Sequence, residues 1–489
     1  MQRPSPALAA TRFGLGLRAS PVDLFGADPV AALLDEAAGE SERPPDRDLA
    51  PTRKILFDVQ SFFARQRAAN QAMEKSGADA AGMAAGMPTG MPAGMPAGMM
   101  ERPAAMGSGK DAAPEAAPAR PERPHLAYFN AEFEALIARM NDAPIGFFER
   151  LVGFWSNHFA VEADRSFTTK ATVGAYEREA IRPHVLGRFE DMLLAVSQHP
   201  TMLSYLDNFL SAGTNSRLGK NGRYGLNENY GREMLELHTL GVAGGYDQSD
   251  VRALANALSG WGIVRNLKRK DYGTFAFFNA MHEPGPVTVL GKRYPQKGEA
   301  QARAIIADLA HHPATARHLA FKLVQSFVAD EPPKGLVARL ADVYMKTGGD
   351  LGALAKALVT DPASWEAPRA KLRTPQEFVW AALRAIPATT QFNDVRRGLT
   401  ILGQLPWSPI SPAGYPGDSR YWLAADAMTN RLDYAQFLAA RTRPEDPQML
   451  TEAALGDLVS APTREAIRRA ESPAQAYALL LMSPEFQRR

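Results

Sequence analysis

The 489-residue chain contains no cysteine. That absence removes disulfides, thiolate zinc sites, iron–sulfur clusters and cysteine nucleophiles together. No apolar run approaches the 18 or so residues needed to span a bilayer. The opening MQRPSPALAATRFGLG has neither the apolar core of a secretory signal nor a twin arginine. A cytoplasmic location is therefore the default expectation, with export left open. Charge of either sign is scarcely in excess: 55 Lys+Arg against 53 Asp+Glu gives a net +2, which argues against a nucleic-acid binder. Several motifs are also missing: HExxH, a histidine pair at i, i+4, a Walker A loop, GxGxxG and the G-x-S-x-G elbow. Histidine is absent from both ends, since all nine fall between His125 and His318.

What is present reads as helix after helix. A chain of this length needs more than one simple core. The expected organisation is an N-terminal helical segment (1–76), a low-complexity insert (77–124), a main helical domain (125–440) and C-terminal helices packing on it (441–489). The fold class is mainly α and multi-helical, with a small β-hairpin element. In the insert, Met83, Met87, Met91, Met95 and Met99 recur every four residues, but Pro88, Pro92 and Pro96 forbid the helix that would stack them. A disordered linker is expected. Thioether capture of Cu(I) is the sharper alternative, weakened by the lack of a nearby histidine.

A junction pattern recurs in the main domain: an apolar helix, then His or Asp, then Pro, then another helix. It places His199, His312 and Asp361 as caps, since a residue before Pro leaves the helical region and Pro suits a first helical turn. MSPEF near the C-terminus is a weaker echo. YGTFAFFNAMHEPGPVTVLGKRYP, from Tyr272, breaks the pattern with β-branched and aromatic residues and two turn signals, and reads as short strands or hairpins. LPWSPISPAGYPGDSRYW, from Leu405, is too rich in proline for helix and reads as a long ordered loop of the functional kind.

The densest polar cluster is NENYGREMLELHTLG, Asn227 to Gly241. At 100° per residue, Asn227, Gly231, Met234 and His238 share one arc facing the interior. Glu228, Arg232 and Glu236 lie opposite with salt-bridge spacing, and Glu233 sits at the border. His238 reads as a general base or ligand oriented by Asn227 and Glu233, or as a buried histidine satisfied by its neighbours. Gly231 in mid-helix costs about 1 kcal/mol against alanine, which suggests a close approach to its backbone. Upstream, His158 lies among aromatics, a setting that keeps an imidazole neutral. Arg178 and Arg182, four apart, could grip an anion together, or could pair with nearby carboxylates. The expected catalytic set is His158, Asp207, Asn227, Glu233 and His238. Lys170, Arg178, Arg182 and Arg232 are the expected substrate cations, and His158, His238 and His282 the expected ligands if a divalent metal is the cofactor.

The blocks WSNHF, KATVGAYEREAIRPHVLGRFEDMLLAVSQHPTMLSYLDN, NENYGREMLELHTLGVAGGYDQSDVRALANALSGW, HHPATARHLAFKLVQSFVADEPP and MSPEFQ resemble the bacterial domain-of-unknown-function 1800 family, from about Ala10 to the C-terminus. The resemblance implies a predominantly helical protein of unsettled activity. It also implies a partner, because genes of the family commonly neighbour one for an alkaline-phosphatase or sulfatase relative. Many members carry export signals. This chain departs from the family pattern at AGYPGDSRYW, where a GWPGG-like turn is usual, at Glu283 after His282, and at Gly231, where alanine is common. Two function classes follow: a metal-assisted hydrolase-type enzyme, or a non-catalytic scaffold for the phosphatase-like protein.

Overall fold

The computed structural model describes residues 3–19, 24–42, 48–84 and 123–489, with the side chains of 73–84 left aside. The methionine repeat from 85 onward lies outside the described residues, and the Thr52–Ala84 helix leads up to it. Among the described residues 22 α-helices and two small antiparallel sheets make the fold mainly α. None of the helices is long and apolar enough to cross a membrane.

Local sequence signals account for much of this architecture. At the three expected junctions the side chain before Pro caps the next turn: His199 accepts from Thr201 N at 3.2 Å, His312 from Ala314 N at 3.1 Å, and Asp361 from Ala363 N at 3.0 Å. Ser483 repeats the device by accepting from Phe486 N. The cap satisfies amides that the first turn leaves without intrahelical partners, and Pro presets φ. The Val287–Val289 and Lys292–Tyr294 strands form the expected hairpin. Leu290 and Gly291 make its turn, both at positive φ, as a two-residue hairpin loop requires. The other sheet pairs Phe275–Phe277 with Trp261–Ile263, a three-residue strand too short to carry a periodic signal.

The Asn227–Gly241 stretch departs from a regular helix. A short helix, Asn229–Glu233, passes into a π-turn at Met234–His238. Asn227 lies before the helix, so the 100° arc drawn through it and His238 does not hold. His238 is nevertheless buried at 1% exposure. The expected close approach at Gly231 is present: a Cβ there would lie 2.8 Å from Val251 O and 3.0 Å from Ala255 N.

Four helices converge on one carboxylate, Glu377. Its side chain takes Arg150 Nη2 at 2.8 Å and Arg489 Nε at 2.9 Å, and closes the capping box of its own Pro375–Ala385 helix at Thr374 N. Arg150, on the Phe147–His158 helix, also donates to Arg12 O at the end of the Pro6–Arg12 helix. Arg489 also donates to Ser326 O and Phe327 O at the end of the Pro313–Phe327 helix. Cations at helix C-termini meet carbonyls without intrahelical partners and the negative end of the dipole. Arg12 and Arg384 serve the same role elsewhere, Arg12 on Ser364 O and Ala367 O, Arg384 on Ala143 O and Pro144 O.

The flanking cations, Arg489 first, hold the Glu377 carboxyl down at about 2 against the opposing effect of burial. Removing its charge leaves Arg150 and Arg489 buried and uncompensated. Glu377→Gln is expected to lower unfolding stability by about 3 kcal/mol, read from urea denaturation at pH 7. A loss under about 1 kcal/mol would show that the junction is held by packing alone.

Candidate functional site

The Glu377 junction forms the floor of a cavity of about 490 Å³, within the size range of small-molecule sites. Its walls come from the Phe147–His158, Pro313–Phe327 and Pro375–Ala385 helices and from the 405–422 loop. Proline keeps that loop out of helix, and specific contacts fix it in place. Asn157 clamps Tyr415 on both sides, accepting from its N–H at 2.7 Å and donating to its carbonyl at 3.0 Å. Gly414 lets the loop pass so close, since a Cβ would fall 2.3 Å from Asn157 O. Trp407 holds a left-handed backbone at φ 56°, unusual for a bulky residue. Its indole donates to Glu177 at 2.8 Å and its carbonyl accepts from Ala163 N. Lys371 ties Gly417 O to Asp330.

Lys322 and His158 meet on the cavity wall. Nζ of Lys322 lies 3.1 Å from Nδ1 of His158, and Nε2 of His158 lies 3.1 Å from the carbonyl of His238. A carbonyl only accepts, so Nε2 must carry the imidazole proton. Nδ1 is therefore bare and accepts from Lys322. His238 and His318 complete the cluster, their rings 6.4 and 6.1 Å from that of His158. His318 Nε2 faces Leu237 O at 3.3 Å, and His238 Nδ1 is buried with no hydrogen-bond partner among the described residues.

Burial is the largest cause of every shift in this cluster. It lowers Lys322 to about 8, and no charged neighbour contributes among the described residues. Desolvation first, then the Lys322 charge, lowers His318 to about 4 and His238 to about 3, and carries His158 well below the usual imidazole value. Three neutral imidazoles thus lie near an amine that has no carboxylate partner among the described residues. Such a group is expensive to keep and is more often found where it has a task.

The structure distributes the sequence-predicted residues differently. His158 reaches the cavity, and its aromatic neighbours Phe154, Trp155 and Phe159 keep it dry. His238 stands behind it. Asp207 instead faces Arg165 at 3.1 Å on the surface. Asn227 donates to Leu206 O and accepts from Asn229 N. Glu233 is half-buried, its carboxyl raised by burial and by Glu236. The expected substrate cations have carboxylate partners: Lys170 with Asp164 at 2.8 Å, Arg178 with Glu132 at 2.8 Å, Arg182 with Glu149 at 2.7 Å, and Arg232 with Glu228 at 3.8 Å. The Arg178 and Arg182 partners come from other helices, so the two arginines act as separate structural pins.

The three-histidine metal set does not come together. Both ring nitrogens of His158 are engaged, and Nδ1 of His282 faces Ser259 O at 3.0 Å. Among the described residues no group of three or more His, Asp or Glu side chains could hold a metal ion. Sequence reasoning passed over Lys322 and gave His318 no distinctive setting. The available signal was HLAFK, which puts the two four apart on one face of an apolar helix.

A family model described as protein of unknown function (DUF1800) matches residues 8–488. No curated protein and no solved structure matches the chain.

Two outcomes follow from the cluster. Lowering Lys322 from 10.5 to about 8 corresponds to about 3 kcal/mol, reduced by contact with the open cavity and by the bond to His158. Lys322→Met is therefore expected to raise unfolding stability by about 1–2 kcal/mol at pH 7. The unfolded chain binds the extra proton between about pH 8 and 10.5, so wild-type stability recovers with rising pH through that window and the advantage of K322M shrinks. A destabilised K322M at pH 7 would make Lys322 a structural residue. The histidines carry the same sign in a lower pH window. Unfolding lets them protonate below 6.5, so their contribution is intact above 6.5 and is lost as pH falls toward 4 and 3. Histidine-selective NMR should show His158, His238 and His318 unprotonated at pH 5. An imidazolium signal from any of them at that pH would contradict the buried cluster.

Proposed function

The chain belongs to the DUF1800 family, and from that premise we propose that it is an enzyme acting on a small anionic molecule, with Lys322 as the working group of the cavity. One observation carries the reading: a lysine amine on the wall of a ligand-sized cavity, hydrogen-bonded to a neutral imidazole and paired with no carboxylate among the described residues. A cation in that position is completed by an anion from outside the protein. An amine poised near 8 also exchanges its proton close to neutral pH, as a general acid or base must. His158 fixes the direction of one N–H, which leaves the remaining donors of the ammonium for a ligand. The carboxylates that line the cavity are already committed, Glu377 to Arg150 and Arg489, Glu149 to Arg182, Glu177 to the Trp407 indole and Asp418 to Arg420. The floor therefore does not repel a second anion as bare carboxylates would.

The scaffold reading, in which the protein partners a phosphatase- or sulfatase-like enzyme without catalysing a reaction, draws on a different observation. Asp207, Asn227 and His282 are each engaged by an arginine or by backbone, as expected of residues that only hold a fold.

Thermal unfolding at constant ionic strength separates the two. Orthophosphate and malonate, each at 100 times its dissociation constant, should stabilise the wild-type protein by about 2.7 kcal/mol, with chloride as the control. K322M should show no response to either anion. Equal responses from wild type and K322M, or none from wild type, would favour the scaffold.

A further inference from the structure

The geometry around Lys322 extends to covalent chemistry. We infer that Lys322 forms an imine with a carbonyl-bearing anion, an oxo acid or acidic aldehyde, bound in the cavity; this rests on the reading of the site given above. Lys322 lines a cavity large enough for such a molecule, and among the described residues its Nζ has as hydrogen-bond partner an imidazole nitrogen that can only accept. An N–H donated to His158 Nδ1 fixes the azimuth of the amine. Once the ammonium loses a proton, the nitrogen lone pair is excluded from the direction of His158.

The groups facing the amine leave it available. His158, His238 and His318 are neutral at physiological pH, and no carboxylate stabilises the ammonium among the described residues. The charged groups that line the cavity have partners of their own, Arg150 and Arg489 with Glu377, Lys371 with Asp330 outside the lining, Glu149 with Arg182, Glu177 with the Trp407 indole and Asp418 with Arg420. Burial holds Lys322 at about 8, so at pH 8 half of the amine is unprotonated. An ordinary lysine at 10.5 offers a neutral fraction roughly 100-fold smaller at that pH. Desolvated lysines of this kind are the ones that serve as Schiff-base nucleophiles.

The step balances without an oxidant or reductant. The Nζ lone pair attacks the carbonyl carbon, and the carbonyl π pair moves to oxygen as the C–N bond forms. The two protons of the amine pass to that oxygen, one by way of His158 Nδ1, which already faces them. The C–O bond breaks and water departs, leaving an imine between Lys322 and the substrate carbon.

Reductive trapping tests the inference on the full-length protein. Glyoxylate and cyanoborohydride at pH 8 are expected to add one carboxymethyl group per chain, mapped by peptide mass spectrometry to Lys322. The rate should exceed that of the other lysines roughly 100-fold and should fall when oxalate, which has the charge without the aldehyde, is added. K322M should lose the fast adduct while keeping the wild-type circular dichroism spectrum. Adducts spread over the surface lysines with none favoured at Lys322 would overturn the imine. If phosphate and malonate still stabilise wild type but not K322M, the anion site survives that failure. If they do not, both readings fall together.

Discussion

The structure depends on the way a single carboxylate, Glu377, organises buried positive charge. Arg150 and Arg489 converge on it, and each uses its remaining donors on the last carbonyls of another helix. Four helices and Arg489 are thereby locked around one point, which also lines the cavity. Charge conservation at this junction has a consequence for the site above it. Glu377, Glu149 and Asp418, which line the cavity, are used by arginine partners, so none of them is left to neutralise Lys322. The Lys322 amine owes its state to an ion network that stops short of it.

That arrangement sets stability against function. Three imidazoles kept neutral and an amine with no counter-charge are all less favourable inside than in water. A chain selected for stability alone would fill these positions with apolar residues, as the Pro313–Phe327 helix does at Leu319, Leu323 and Phe327. The 405–422 loop is held with equal expense. Trp407 adopts a left-handed backbone and Gly414 runs against Asn157 to bring Tyr415 to the cavity. Strain and desolvation concentrated on one cavity are what a working site, rather than a passive core, accounts for.

How much of this was legible in the sequence divides along sequence separation. The His–Pro and Asp–Pro junctions, the glycine signal at Gly291 that places the hairpin turn within a residue, and the close approach at Gly231 are local, and each could be read from a few adjacent residues. His158 was legible because its aromatic neighbours sit beside it in the chain. The arc through Asn227 and His238 failed because Asn227 precedes the helix and a π-turn changes the angle per residue before His238. The carboxylate partners of Arg178 and Arg182 were not legible, because Glu132 and Glu149 reach them from helices 46 and 33 residues away. Lys322 was invisible for the same reason in reverse. Its significance is the absence of a partner, and only the assembled interior reveals which carboxylates are already taken.

The central claim is that Lys322 is an amine held in the cavity without a counter-charge. The most direct measurement is its own titration, followed by heteronuclear NMR at the ε-carbon and ζ-nitrogen of selectively labelled lysine, with K322M supplying the assignment. The account predicts a midpoint at about 8, together with a nitrogen shift that responds when phosphate is added. A midpoint at the ordinary lysine value of 10.5, with no response to phosphate, would contradict it.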